Sequence, residues 1–296
     1  MIENEFIVSL QKELMTLLAA WVGVDCQKNG PEIASIYIAT DSRISWGSAS
    51  KFDMGKKIFG MNHHPDIFGY CGDVLFPTIA IQNIVAQADA GILYSEGMMP
   101  DQKYELVLKA ICTSIDQYPK ERIVRSFEII YATRYKQKDF YCYRIAWNNK
   151  DGFHKENGRI TLPRTSTVIA TAGSGSPEFT ERFESEYNRS EHNDYRTSRA
   201  VYQCFTDCLD EIKDPACGGA PQIVGLYRKD NARFFGIIRE GKRYFLGNVV
   251  DYSENLNFVQ WRNDNFERCD PKDTQILELA QRQPKSKVAT PLGSTK

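Results

Sequence analysis

The chain has 296 residues, of which 42% are hydrophobic and 25% are charged, and its formal net charge is −1. This composition suits one large globular domain with a sizeable core, or two small ones. A nucleic-acid-binding protein usually carries a basic excess or a basic stripe, and neither is present, so we expect no nucleic-acid partner.

The predicted elements come in blocks of strands and blocks of helices. Residues 1–15 are interpreted as a short leader. After them we predict four strands (16–24, 35–39, 56–60 and 66–71) and two helices (76–87 and 101–118). Three strands (126–135, 140–147 and 165–171) and two helices (177–187 and 194–213) follow. The last three predicted strands are 222–228, 232–239 and 242–250. This segregation predicts an α+β fold, a four-layer αββα sandwich in which two stacked antiparallel sheets are flanked by helix pairs.

The domain organisation follows from the same pattern. Residues 16–250 are predicted to form one domain, and residues 251–280 a C-terminal extension. Residues 281–296 are rich in Lys, Pro, Ser and Thr, and we expect them to be disordered.

Membrane, metal and cofactor functions find no support in the sequence. The longest apolar stretch, residues 14–24, is shorter than the roughly 20 residues that span a bilayer. The segment before it is net acidic, whereas a secretory signal begins with a basic region, so we expect a cytoplasmic protein with no membrane partner. The eight cysteines form no CxxC pair and the four histidines do not cluster with them, so we expect no metal site and no cofactor.

Thr16 is the first candidate for chemistry. If the chain is cut between Met15 and Thr16, one residue carries both a hydroxyl nucleophile and a free amine that can act as its base. Asp41 and Lys57 follow as a carboxylate and an ammonium that could support it. Each residue alone is more often structural, because threonine commonly opens strands and aspartate commonly stabilises turns. Their combination is typical of an N-terminal-threonine hydrolase.

Further short segments accompany Thr16 in a fixed order. They are Ala39-Thr40-Asp41-Ser42-Arg43, Lys57 at 16 residues after Asp41, Cys71-Gly72-Asp73, Gly173-Ser174-Gly175-Ser176 and Asp214-Pro215-Ala216-Cys217-Gly218-Gly219. In this order the chain resembles the β-type subunits of the proteasome and the related bacterial peptidases of the N-terminal-nucleophile superfamily, from Thr16 to about Val250. The resemblance implies the N-terminal-nucleophile hydrolase fold.

The resemblance also implies roles for individual residues. Thr16 would be the nucleophile, Lys57 would lower the pKa of its amine, and Asp41 would hold Lys57. Ser174 and Asp214 would orient the threonine amine, with Cys217 at the position where relatives usually have serine. The backbone N–H of Gly72 would be the oxyanion donor.

An extended polypeptide is the substrate that the resemblance implies. Ile44, Ser45 and Trp46 would form one wall of the cleft, with the Ser45 backbone pairing with the substrate. The first specificity pocket would be lined by Ile44, by Met54 or Gly55, and by the segment Tyr70-Cys71-Gly72-Asp73. Relatives self-associate into stacked rings, some of which work with an ATP-driven unfoldase. The chain has no GxxxxGK[ST] motif, so an unfoldase would be a separate protein.

Met15 leaves alternatives open, because self-cleaving relatives usually have glycine before the threonine. Either Met15 is the true initiator, removed by an aminopeptidase, or residues 1–15 are a propeptide. In a second interpretation the chain is a non-catalytic scaffold subunit of a ring that retains its leader. In a third it is an amidase of the same superfamily that acts on a small molecule.

Overall fold

The computed structural model describes residues 15–28, 30–46, 50–123, 125–154, 157–251 and 256–277. Most of the predicted leader (residues 1–14) and the whole predicted tail (residues 281–296) lie outside the described residues, as do residues 278–280 of the predicted extension.

The described residues contain strands, helices and a few short turns of helix. The strands are β1 (Leu18–Gln27), β2 (Gly30–Thr40), β3 (Ile44–Trp46), β4 (Ser50–Phe52), β5 (Ile58–Gly60), β6 (Asp66–Gly72), β7 (Phe127–Tyr135), β8 (Asp139–Asn148), β9 (Gly152–Phe153), β10 (Gly158–Ile160), β11 (Thr167–Ala172), β12 (Gln222–Tyr227), β13 (Arg233–Arg239), β14 (Lys242–Phe245), β15 (Asn248–Val249), β16 (Gln260–Asn263) and β17 (Arg268–Cys269). The helices are α1 (Leu75–Asp89), α2 (Pro100–Gln117), α3 (Ser176–Arg182) and α4 (Ser198–Glu211). A π-helical turn at Phe183–Tyr187 continues α3, and 3₁₀ turns lie at Lys120–Arg122 and Leu256–Phe258.

The predicted four-layer αββα sandwich is wrong. The protein is mostly β-sheet, with 37% strand and 25% helix, and only four α-helices occur in the described residues. The strands fall into three sheets, of nine, six and two strands, where two sheets were predicted. The prediction missed several short strands, among them β3, β4, β16 and β17, and it made the last two helices longer than they are. The segment predicted as a helix from residue 194 begins only at Ser198, where Thr197 caps it by accepting from the Ala200 N–H at 3.3 Å.

The strand predicted at residues 16–24 is confirmed as β1, which lies inside the nine-stranded sheet between β11 and β2. Its side chains alternate between two apolar environments. Leu17, Ala19 and Trp21 pack in the cluster that includes α4, whereas Leu18 and Ala20 pack in a cluster shared with the six-stranded sheet. A strand buried on both faces needs a continuous apolar run, which is the pattern seen in the sequence.

The six-stranded sheet has the order β10-β8-β7-β6-β5, with β9 paired to β8. One face, with Phe68, Tyr131 and Tyr143, packs in a cluster with α1 and α2. The other face, with Ile67 and Ile130, meets the nine-stranded sheet. The last residue of β6 is therefore brought to the same end of the molecule as the start of β1.

The described part of the predicted C-terminal extension packs into the main body. Strand β16 pairs in parallel with β13, and the Trp261 indole covers Gly236, where a side chain would collide with it. Phe266 packs against Trp21 and Tyr37, with ring centroids 6.4 and 5.4 Å away. This segment therefore completes the core cluster beneath β1 and β2.

Within the described part of the chain, each helix is too short or too polar to cross a membrane.

Candidate active site

Three chain segments place the predicted charged residues beside Thr16. Thr16 precedes β1, Asp41 follows the neighbouring strand β2, and Lys57 precedes β5. The β1–β2 register pairs Leu18 with Thr40, so the start of one strand lies next to the end of the other. The Asp41 N–H donates to the Leu17 carbonyl at 3.2 Å and locks this arrangement.

The predicted trio Thr16, Asp41 and Lys57 is in direct contact. The Lys57 Nζ lies 2.7 Å from Thr16 Oγ1 and 2.8 Å from Asp41 Oδ1. The three residues are no more than 1% exposed. In a site shielded from water, charge–charge and charge–dipole interactions are stronger than at the surface. The ammonium is therefore placed to stabilise negative charge on the threonine oxygen.

Backbone donors surround the Asp41 carboxylate. Its Oδ1 accepts from the Leu17 N–H at 3.3 Å, and its Oδ2 accepts from the N–H groups of Gly218 at 3.0 Å and Arg43 at 3.2 Å. Burial raises the pKa of Asp41, and the charge of Lys57 and these hydrogen bonds oppose that rise. The carboxylate therefore binds Lys57 from a fixed position.

The threonine nitrogen is held by a looser chain of contacts. The Thr16 N–H donates to Ser174 Oγ at 3.4 Å, and Ser174 Oγ lies 3.7 Å from Cys217 Sγ. Cys217 Sγ donates to Asp214 Oδ2 at 3.7 Å. Asp214 thus reaches the nitrogen through Cys217 and Ser174. Burial raises the pKa of the Cys217 thiol, so this group stays protonated and acts as a donor.

Arg43 holds the loop that carries Asp214 and Cys217, a role that the sequence reasoning missed although it noted the residue in its motif. Its Nη1 donates to the carbonyls of Cys217 at 2.9 Å and Pro215 at 3.3 Å. Its Nε and Nη2 bind the Asp53 carboxylate at 2.7 and 2.8 Å. A Cβ at Gly218 would lie 2.6 Å from the guanidinium carbon, so this contact requires glycine there.

Gln222 is a second residue that the sequence reasoning missed. Its buried Oε1 accepts from the Lys57 N–H at 3.3 Å, and its Nε2 donates to the carbonyls of Asp41 at 3.2 Å and Gly55 at 2.6 Å. One amide thus fixes the backbone of both charged site residues. The available signal was a polar side chain that opens an otherwise apolar strand, β12.

A cavity of about 470 Å³, which we call the cleft, borders Met15, the residue before Thr16, because two of its lining side chains, Ser45 and Arg125, contact the Met15 sulfur. The residues that line it include Ile44, Ser45, Trp46, Gly72, Asp73 and Arg125. The predicted wall residues and the predicted oxyanion donor therefore share one cavity. Gly72 has a φ of +93°, which glycine adopts without strain. Trp46 is 62% exposed and presents apolar surface to solvent.

Tyr70 and Cys71 do not line the cleft. Tyr70 is buried in the cluster that contains α1, with its hydroxyl 2.8 Å from Thr78 Oγ1. Cys71 points to the opposite face of β6, into the cluster between the sheets. Successive side chains of β6 point to opposite faces of the sheet, and both faces are buried here. Only Gly72, at the end of the strand, lines the cavity. Of the two other pocket candidates, Met54 lines a different cavity, and Gly55 lies against the side chain of Ile44, which lines the cleft.

Met15, the residue before the nucleophile, lies against the cleft. Its Sδ accepts from Ser45 Oγ at 3.4 Å and from Arg125 Nη1 at 2.8 Å. Both donors line the cavity. No sequence pattern links Met15 to Arg125, which is 110 residues away.

Among the described residues, His, Cys, Asp and Glu side chains form no cluster of three or more that could hold a metal ion.

A scan of protein-family models found no match to this chain, and a search of curated proteins found no significant relative. Any assignment of function therefore rests on the geometry of the site.

Proposed function

We propose that the chain is a threonine-type endopeptidase in which Thr16 is the nucleophile once the residues before it have been removed. The observation that carries the proposal is the contact of Thr16 Oγ1 with Lys57 Nζ at 2.7 Å, where Lys57 forms a buried ion pair with Asp41. A buried lysine and aspartate that serve only stability have no need of a hydroxyl within hydrogen-bond distance of the ammonium.

The first chemical step forms an ester. The Thr16 oxygen attacks the carbonyl carbon of a peptide, and its proton passes to the freed α-amine of the same residue. An α-amine has a reference pKa of about 7.7–8.0, so its neutral form is available as a base near neutral pH. The ammonium of Lys57 stabilises the attacking oxygen as its proton leaves. In this proposal the Gly72 N–H binds the carbonyl oxygen as it becomes negative.

The second step regenerates the enzyme. The leaving amine takes the proton from the α-amine as the C–N bond breaks, which leaves the acyl group on Thr16. Water then attacks the ester carbon and gives a proton to the α-amine, which passes it to Thr16 Oγ1 as the ester C–O bond breaks, and the new carboxylic acid departs. Ser174 and Cys217 position the nitrogen that serves as base in both steps.

The proposal also covers the substrate, the cellular location and the assembly of the chain. The substrate is an extended or unfolded polypeptide, and the chain works in the cytoplasm in a self-associated ring. If proteins must be unfolded before cleavage, a separate ATP-driven unfoldase supplies that step. These points go beyond the site, whose geometry supports the hydrolytic chemistry.

One observation favours the non-catalytic scaffold as a second candidate. With Met15 attached, the Thr16 nitrogen is an amide, which is not a base, and Met15 itself lies against the cleft. A chain that keeps its leader would therefore be inactive, with the site serving only structure.

The test compares the full-length wild type with Thr16→Ala and Thr16→Ser. We expect the wild type to begin at Thr16 by N-terminal sequencing and to cleave internal bonds of extended peptides. Thr16→Ala should be inactive and Thr16→Ser partly active, because serine keeps the hydroxyl. A wild type that begins at residue 1 or 2 and cleaves nothing would favour the scaffold. Hydrolysis of small amides without peptide cleavage would favour the amidase.

A further inference from the structure

We propose that the cleft selects an acidic residue, glutamate before aspartate, on the acyl side of the cleaved bond, and that Arg125 determines this specificity. The inference rests on the proposed function, because it names the substrate of that same site. It is carried by the contacts of Met15.

Met15 marks the position that this substrate residue would occupy. A cut between Met15 and Thr16 has Met15 on its acyl side, so its side chain lies where the corresponding side chain of a substrate would lie. Its sulfur is held between Ser45 Oγ at 3.4 Å and Arg125 Nη1 at 2.8 Å. Ser45 is only 4% exposed, so this donor belongs to the inner wall of the cleft.

The donors suit oxygen better than sulfur. A thioether is a weak acceptor, whereas a guanidinium forms its strongest hydrogen bonds with carboxylates, at about 2.7–2.9 Å. An acidic side chain would thus satisfy two donors that methionine satisfies poorly.

The length of the side chain favours glutamate. The methionine sulfur and the glutamate carboxyl carbon are both the third atom along their side chains, so the carboxylate oxygens of glutamate would lie within reach of both donors. Aspartate is one carbon shorter. A lysine would bring its ammonium toward the guanidinium of Arg125, and leucine offers no acceptor.

The charges around the cleft agree with this choice. Arg122 and Arg125 both line it, and Asp73 is the one acidic side chain among the lining residues. The Asp73 Oδ1 accepts from the Phe76 N–H at 3.1 Å, so that carboxylate is already engaged at the start of α1. The cleft therefore has two positively charged guanidinium groups and one carboxylate that already accepts a hydrogen bond, and this excess of positive charge favours an anionic ligand.

The first experiment uses peptides that differ only in the residue before the cleaved bond, with glutamate, glutamine, leucine or lysine there. We expect kcat/KM for glutamate to exceed that for lysine by roughly 10- to 100-fold, the range of one hydrogen bond to a charged group. Arg125→Gln should reduce the ratio to less than about threefold. Arg159→Gln, which changes an arginine outside the cleft, should leave the ratio unchanged. Equal rates with glutamate and lysine, or a ratio that survives Arg125→Gln, would overturn the inference.

A second experiment does not depend on peptide cleavage. In full-length protein with Thr16→Ala, which retains residue 15, we compare Met15→Glu with Met15→Lys by thermal unfolding, each with Arg125 or Arg125→Gln. We expect a higher Tm for glutamate than for lysine, and the difference should disappear with Arg125→Gln. No coupling between the two positions would refute the inference even if peptides are cleaved. If the two positions are coupled in this experiment but protein with Thr16 cleaves no peptide, the pocket assignment would be upheld and the proposed function refuted.

Discussion

The two sides of Thr16 are built differently. On the oxygen side, Lys57 and Asp41 are almost completely buried, and Lys57 Nζ lies 2.7 Å from Thr16 Oγ1 and 2.8 Å from Asp41 Oδ1. On the nitrogen side, the contacts from Thr16 through Ser174 and Cys217 are 3.4 to 3.7 Å long, and two of them involve sulfur.

This difference assigns different tasks to the two sides. The oxygen side is a rigid, low-dielectric environment that sets the charge beside the nucleophile, and any change there affects stability as well as rate. The nitrogen side is adjustable, because its long contacts can shorten when an amide becomes a free amine. Substitutions on the two sides should therefore differ in how strongly they change rate and stability.

Replacing the nucleophile should have the largest effect. Thr16→Ala removes the oxygen that Lys57 contacts, so we expect the peptidase rate to fall by about 10³-fold or more. Peptide turnover measured at saturating substrate checks this, with Thr16→Ser as the matched control that keeps a hydroxyl. Activity in Thr16→Ala above one tenth of the wild-type rate would place the nucleophile elsewhere.

Breaking the buried ion pair should destabilise the fold. Asp41→Asn leaves the Lys57 ammonium buried without its counter-charge, and we expect a loss of about 3–5 kcal/mol in the free energy of unfolding. Urea denaturation measures it. The control is Asp230→Asn, which breaks a partly exposed pair with Arg233 and should cost less than about 1 kcal/mol. Equal losses for the two variants would show that the oxygen side is not the rigid side.

Removing the Gln222 amide, which holds the backbone of Asp41 and Lys57, should have an intermediate effect on stability and rate. Gln222→Leu leaves the Lys57 N–H and the Asp41 and Gly55 carbonyls without that partner, at a cost of about 1–3 kcal/mol. Because Gln222 does not line the cleft, kcat should fall while KM stays nearly constant. The control Gln203→Leu removes one hydrogen bond to Asn265 near the surface and should leave kcat unchanged. A rise in KM without loss of kcat would contradict the positioning role.

The smallest effect should come from the nitrogen side. In Cys217→Ser an oxygen replaces sulfur between Ser174 and Asp214, and we expect kcat to change by less than about tenfold, in the upward direction, because a hydroxyl is a better donor. Stability should change by less than about 1 kcal/mol. By contrast, Cys71→Ser buries a hydroxyl in the apolar cluster between the sheets and should cost about 1–3 kcal/mol without any gain in rate. A large loss of stability in Cys217→Ser would show that the nitrogen side is as rigid as the other.

The sequence predicted the parts of the site that depend on local pattern. The apolar run after Thr16 predicted β1. The order and spacing of the motifs pointed to Asp41 and Lys57, and the pairing of β1 with β2 places Asp41 next to the start of β1. The resemblance implied that Tyr70 and Cys71 line the pocket, but both faces of β6 are buried, so these two side chains pack in the apolar clusters on either side of the strand.

Other features depended on contacts between distant segments. The three hydrogen bonds of Gln222, the reach of Arg125 to Met15 and the packing of Phe266 into the core all join residues far apart in the chain. The prediction of the overall architecture was wrong for a similar reason. Short strands such as β16 form only because a partner strand is available, and their own sequence carries too few residues to show a period.

In the proposed mechanism Thr16 acts through its own oxygen and its own freed nitrogen. Labelling of the purified full-length protein with a peptide epoxyketone, which reacts with a hydroxyl and an amine on one residue, tests for both groups at once. We predict one adduct per chain, located by mass spectrometry on an N-terminal Thr16 and absent in Thr16→Ala. An intact chain that retains residues before Thr16 and forms no adduct would contradict this mechanism.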